Sequence, residues 1–220
     1  MNPDGPLIVQ SDRTVLLEVH NALADAARHA LAVFAELERA PEHMHTYRIT
    51  RLGLWNARAA GHSAEEILQT LEEYSKFPLP PGIAEEITET IGRYGQIEIT
   101  REGETLFISC GTPAIEAEIT RSQKIAELLG ERDEEGRFPL APWSRGLIKQ
   151  ELLKKGWPAA DHAGFAEGEP HDIGLAPGEW SLRDYQTEAI SRFTQSGSGV
   201  VVLPCGAGKT IVGAGVMAEL

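Results

Sequence analysis

The residues with the clearest capacity for chemistry are Gly206-Ala207-Gly208-Lys209-Thr210. A phosphate chain is held best by several backbone N–H groups at once, and side chains obstruct that approach. Gly206 and Gly208 leave the backbone bare. Lys209 offers a point charge to β- and γ-phosphates, and Thr210 offers a hydroxyl to Mg²⁺. The longer phosphate-loop pattern asks for glycine at position 203, where this chain has Leu203. A shorter form, with Pro204 and Gly206 ahead of Gly-Lys-Thr, is complete.

Such a loop must be held between a buried strand and a helix N-terminus. Val200-Val201-Val202-Leu203 reads as the strand, being a short β-branched run. Residues 211–220 read as the helix, weakened by Gly213 and Gly215. Upstream lies Trp180-Ser181-Leu182-Arg183-Asp184-Tyr185-Gln186. A glutamine amide can both donate to and accept from one base edge, and adenine offers N6 and N7 for that. Gln186 is therefore a candidate adenine reader.

Leu182-Arg183-Asp184-Tyr185-Gln186 followed by Leu203-Pro204-Cys205-Gly206-Ala207-Gly208-Lys209-Thr210 resembles the start of a superfamily 2 helicase core. The run from Gly197 to Thr210 resembles the bacterial branch of the XPB DNA repair helicases. The resemblance implies ATP and Mg²⁺ as cofactors, held by Arg183, Gln186, Gly206, Ala207, Gly208, Lys209 and Thr210, with Thr210 on the metal. It implies an ATP-dependent 3′-5′ DNA helicase acting on double-stranded or forked DNA. In that family the acidic D-E-x-H motif and a second RecA-like lobe lie downstream of this helix. Neither is among these 220 residues, so the chain is expected to be a front portion that does not turn over ATP alone. A restriction-type superfamily 2 translocase shares the Gln and Gly-Lys-Thr motifs. An acidic docking module without catalysis is the non-enzymatic alternative.

The charge balance bears on partners. Formal net charge is −13. Residues 1–110 carry 9 basic and 17 acidic groups, and residues 111–180 carry 8 and 13. Phosphate binding draws on lysine and arginine, so the front half is a poor general DNA surface. It suits solvation, or docking of a protein partner such as a nuclease or repair factor. Two cysteines, Cys110 and Cys205, make no disulfide framework. No apolar run is long enough for a membrane span and no secretion signal opens the chain, so the expected location is the cytoplasm, away from membranes.

The expected fold is an α+β accessory module, a small β-α-β-α domain, and the first strand and helix of a RecA-like lobe. The accessory module covers 1–110. It opens with a β-hairpin from runs 7–9 and 14–19, followed by a helix up to Pro41. His43 and His45 lack the partners of a metal site and read as surface residues. Arg48, Arg51 and Arg58, with Tyr47 and Trp55, read as an amphipathic helix. Residues 63–110 present helix, helix, hairpin, a winged-helix order. Ser63 and Glu66 form a capping box, Ile67, Leu71 and Tyr74 mark one helix, Ile83, Ile87 and Ile91 mark the next. Glu85, Glu86 and Glu89 disfavour DNA reading there, so the unit reads as protein-binding or structural.

Residues 111–176 occupy the place of the small damage-recognition domain of XPB proteins. Ile115, Ala117 and Ile119 alternate as a strand, 122–129 reads as a helix, 137–140 as a strand and 142–155 as a helix. Arg145, Lys149, Lys154 and Lys155 make that last helix the most basic in the chain and the candidate DNA contact. Residues 166–179 read as a linker, and 177–220 as the start of the helicase domain.

Overall fold

A computed structural model describes residues 2–165, 168, 173–176 and 181–220. The linker expected at 166–179 falls largely outside the described residues. The chain divides into two compact units, Met1–Gly164 and Phe165–Leu220.

The first unit has two cores. Strands β1 (Leu7–Val9), β2 (Thr14–Glu18), β3 (Ala35–Arg39) and β4 (Met44–Ile49) form an antiparallel sheet of order β1-β2-β4-β3. Alternation drives its inner face: Val15, Leu17, Tyr47 and Ile49 are buried. Helices α1 (Ala24–Leu31), α2 (Arg51–Ala59), α3 (Ala64–Tyr74) and α4 (Ile83–Gly92) add Leu31, Leu54, Ile67, Leu71, Ile83, Ile87 and Ile91 to the same core. The expected capping box is present, with Ser63 Oγ accepting from the Glu66 N–H and Glu66 accepting from the Ser63 N–H.

The second core begins after α4. Strands β5 (Ile97–Glu102) and β6 (Thr105–Cys110) pair as the expected hairpin. Helices α5 (Pro113–Thr120) and α6 (Gln123–Ala126) follow, then β7 (Phe138–Leu140), α7 (Arg145–Lys154) and β8 (Ala159–Asp161). The sheet order is β7-β6-β5-β8, and β8 runs parallel to β5. Ile97, Ile99, Leu106 and Ile108 face Ile115, Ile119, Ile148 and Leu152. The two cores meet at the end of α4, where the Arg93 guanidinium lies 5.1 Å from the centre of the Trp157 ring. Among the described residues, no helix is long and apolar enough to cross a membrane.

Several expectations are corrected. The helix expected up to Pro41 ends at Leu31, and residues 35–39 pair with β4 as an edge strand; tertiary pairing overrides local helix preference. Arg48 and Tyr47 lie on β4, and only 51–59 of the expected amphipathic segment is helical, started by Thr50, whose hydroxyl accepts from the Gly53 N–H at 2.9 Å. The segment with Ile115, Ala117 and Ile119 is a helix. Thr112 caps it, Pro113 occupies its first turn, and Ile115 and Ile119, four apart, share its buried side. The expected winged unit does not pack as one body. Helices α3 and α4 belong to the first core and the β5–β6 hairpin to the second, so the cores divide between Ile91 and Ile97, ahead of residue 110.

The second unit is a pair of helices, α8 (Asp184–Ser196) and α9 (Lys209–Glu219). Ile190, Val212 and Val216 are its buried apolar residues, flanked by Leu182, Phe193, Val201 and Leu203. The strand expected at 200–203 is absent: Val200 is 91% and Val202 87% exposed. A parallel strand is held by neighbouring strands, and none pairs with it among the described residues.

Candidate nucleotide site

The turn into α9 is built by two glycines in the left-handed region, Gly206 (φ 78°) and Gly208 (φ 81°). Gly208 is also the N-cap of α9, so Lys209 and Thr210 are its first two helical residues. The N–H groups of a first helical turn have no intrahelical partner and point out of the helix start, where they favour an anion. Lys209 is exposed, and its Nζ donates to the carbonyls of Leu203 at 2.9 Å and Pro204 at 3.1 Å. The ammonium thus lies across the mouth of its own loop.

Helix α8 brings Gln186 to the back of this loop. Gln186 is 4% exposed. Its Oε1 accepts from the Arg183 N–H at 3.0 Å, and its Nε2 donates to the Ala207 carbonyl at 3.1 Å. The neighbouring Tyr185 hydroxyl donates to the same carbonyl at 2.9 Å, and Arg183 Nη1 donates to that hydroxyl at 3.2 Å. A Cβ on Gly208 would come within 2.4 Å of Gln186 Nε2. Gly208 is therefore needed for the turn and also for the approach of Gln186. Tyr185 stands beside Gln186 in the Leu182–Gln186 motif, yet the sequence alone gives no sign that its hydroxyl reaches the turn. Helix spacing says nothing about which turn its hydroxyl reaches.

The two helices can come this close because Gly215 carries no side chain. A Cβ there would meet Ile190 Cδ1 at 2.3 Å. A cleft of about 300 Å³ between α8 and residues 198–203 is lined by Ala189, Phe193, Val201 and Leu203, with no residue of the Gly206–Thr210 turn. It is an uncovered apolar flank of α8 rather than the phosphate cradle.

The basic helix α7 shows a different arrangement from that expected. Arg145 and Lys149 do share a side, but that side is turned onto Asp161 of β8. Arg145 Nε and Nη2 contact its carboxylate at 2.9 and 2.7 Å, and Lys149 Nζ at 2.8 Å. Burial alone would raise the Asp161 carboxyl. The hydrogen bonds from Arg145, Lys149 and the Ala163 N–H outweigh it and hold the group at about 2. Lys154 pairs with Glu151. Lys155 is exposed and has no ion pair among the described residues. Arg48, in the other basic stretch, is paired with Asp12 and Glu38.

His43 Nδ1 lies 2.9 Å from His20 Nε2, and no group of three or more metal-capable side chains occurs among the described residues. Cys110 is half-buried, and burial, with Glu116 nearby, pushes its thiol up to about 11, which disfavours the reactive thiolate. Cys205 is exposed and free in the loop.

Residues 7–134 match the family described as helicase conserved C-terminal domain, and residues 179–220 match that described as type III restriction enzyme, res subunit. The chain is 54% identical to "DNA 3'-5' helicase XPB" of Kineococcus radiotolerans, over 98% of this chain and 39% of that protein. It is 54% identical to the protein of the same name from Mycobacterium tuberculosis, over 98% of this chain and 40% of that one. It is 25% identical to "General transcription and DNA repair factor IIH helicase/translocase subunit XPB/SSL2" of Saccharomyces cerevisiae, over 94% and 31%. The chain thus spans about 40% of the length of its bacterial relatives.

Proposed function

Since the chain belongs to the bacterial XPB-type DNA helicase family, we propose that it supplies the accessory front and the first nucleotide-binding elements of an ATP-dependent 3′-5′ DNA helicase of repair type. The observation that carries this is the turn through Gly206 and Gly208 straight into α9, backed by Gln186. Its residues fit ATP with Mg²⁺. The backbone of residues 206–210 and the Lys209 ammonium hold phosphates, Thr210 offers its exposed hydroxyl to Mg²⁺, and Gln186, with Arg183 beside it, reads the adenine edge. Bound ATP supplies the free energy of phosphoryl transfer that a helicase converts to movement. Both polar ends of the Gln186 amide have a partner within the protein, and an amide oxygen and amide NH₂ each have a second hydrogen-bonding position by their chemistry.

The start of the helicase domain lies in residues 177–220, and the β5–β8 body with α7 takes the damage-recognition place. DNA, double-stranded or forked, is the macromolecular partner. Lys155 and Lys154 at the end of α7 are the best-exposed of its four cations, whereas Arg145 fastens Asp161. The acidic first core is a docking face for a protein partner, a nuclease or repair factor, in the cytoplasm. A restriction-type translocase is the second reading, supported by the res-subunit match. That match covers residues 179–220 only, while the two bacterial XPB relatives match 98% of the chain.

The test is equilibrium binding of a fluorescent ATP analogue with Mg²⁺. Binding that falls at least about tenfold in Lys209→Ala, with no DNA-stimulated phosphate release from these 220 residues, supports the reading. Binding unaffected by Lys209→Ala rejects it.

A further inference from the structure

Two donors converge on the Ala207 carbonyl: the Tyr185 hydroxyl at 2.9 Å and Gln186 Nε2 at 3.1 Å. That carbonyl sits between the two left-handed glycines of the turn. A peptide unit is planar and trans, so its C=O and the following N–H point in opposite directions. Holding the Ala207 carbonyl toward α8 therefore aims the Gly208 N–H away from α8, to the open side of the turn. Turning this plane changes ψ of Ala207 and φ of Gly208, and glycine at 208 leaves that φ free, so an unclamped 207–208 unit would sample several orientations. The donors are themselves fixed. Gln186 is buried and held through Oε1 by the Arg183 N–H, and Arg183 Nη1 hydrogen-bonds the Tyr185 hydroxyl.

We propose that Tyr185 is a positioning residue for phosphate binding: its hydroxyl, with the Gln186 amide, clamps the 207–208 peptide so that the Gly208 N–H is aimed at the nucleotide's phosphates. This rests on the ATP-binding reading above and deepens it. The base-reading helix then serves the phosphates as well, through the back of the loop. A ligand with phosphates and no base must feel the loss of the clamp. If Gln186 and Tyr185 acted on adenine alone, such a ligand would be indifferent to them.

The probe is inorganic tripolyphosphate, competing with a fluorescent ATP analogue on the 220-residue chain with Mg²⁺. Tyr185→Phe removes one oxygen and keeps the ring. Loss of one hydrogen bond predicts tripolyphosphate and ATP affinities falling together, by roughly fivefold. Gln186→Ala should also weaken tripolyphosphate. The second readout is the amide NMR signal of Gly208 in the free protein. In Tyr185→Phe it should move while that of Gly213 stays in place, which a general loosening of the helix pair would not produce. Unchanged tripolyphosphate affinity in Tyr185→Phe, or weakened affinity with an unmoved Gly208 signal, overturns the clamp while the ATP reading stands. A wild-type chain that binds neither ATP nor tripolyphosphate overturns the ATP reading and the clamp with it.

Discussion

Arg145 grips Asp161 with two nitrogens, Nε on Oδ2 at 2.9 Å and Nη2 on Oδ1 at 2.7 Å, and so ties α7 to the last strand of the second sheet. Lys149 adds a third contact at 2.8 Å, and Arg145 also donates to the Gly164 carbonyl. Two of the four cations that make α7 basic are thereby engaged in holding the fold. Bidentate guanidinium–carboxylate pairs with little exposure are among the stronger charge interactions in proteins.

The Asp161 carboxyl is held at about 2, below its ordinary 3.8, so the folded state favours its ionised form. The stability it contributes is full above pH ~4 and is lost as pH falls through ~2. The difference corresponds to about 2 kcal/mol. Asp161→Asn should lower the urea midpoint at pH 7 and lose most of that deficit by pH 2.5. A deficit independent of pH would show that the charge is not the source.

Arg145→Ala and Lys155→Ala should separate fold from DNA contact. Removing Arg145 leaves Asp161 partly uncompensated and should lower the melting midpoint of the first unit. Removing Lys155 should leave the melt unchanged and flatten the salt dependence of duplex binding by about one unit. The salt titration belongs on the longer helicase if this chain binds weakly. A flattened slope in Arg145→Ala, without loss of stability, would restore Arg145 as the phosphate contact.

Gly213 and Gly215 should respond to alanine with opposite signs. Nothing lies within 4 Å of a Cβ at Gly213, so Gly213→Ala should stabilise α9 by up to about 1 kcal/mol through helix propensity. At Gly215 the Cβ would stand 2.3 Å from Ile190 Cδ1, a side chain 1% exposed. Overpacking costs about 1–3 kcal/mol and outweighs the propensity gain. Hydrogen exchange of the α9 amides reads both; equal protection changes would remove the case for close packing at Gly215.

Trp55→Phe should destabilise the first core by about 1–3 kcal/mol. Its Nε1 donates to the Thr90 carbonyl at 2.8 Å, a buried contact between α2 and the last turn of α4, where intrahelical partners run out. Chemical unfolding monitored by circular dichroism gives the value. A midpoint equal to wild type would mean that water replaces the indole at no cost.

Local signals decided much of this protein. The Gly206–Thr210 run, the capping box at Ser63 and Glu66, the β5–β6 hairpin and the Ile83-Ile87-Ile91 face are all short-range patterns, and the structure keeps each of them. Such features depend on residues a few positions apart, so the chain carries them wherever it folds. Residues 115–119 show the limit of that legibility: apolar residues two and four apart serve strand alternation and a helix face equally, and Thr112 with Pro113 tips the balance. Only tertiary structure could decide the remainder. It gives the hairpin to the second core, makes a strand of residues 35–39 by pairing them with β4, and, among the described residues, pairs no strand with 200–203. It also decides where charges and hydroxyls end up. Asp161 is 12 and 16 residues from Lys149 and Arg145, and Tyr185 is 22 from Ala207. No periodicity connects positions so far apart; contacts at that separation exist once two elements have packed, because side-chain hydrogen bonds and ion pairs act over a few ångströms.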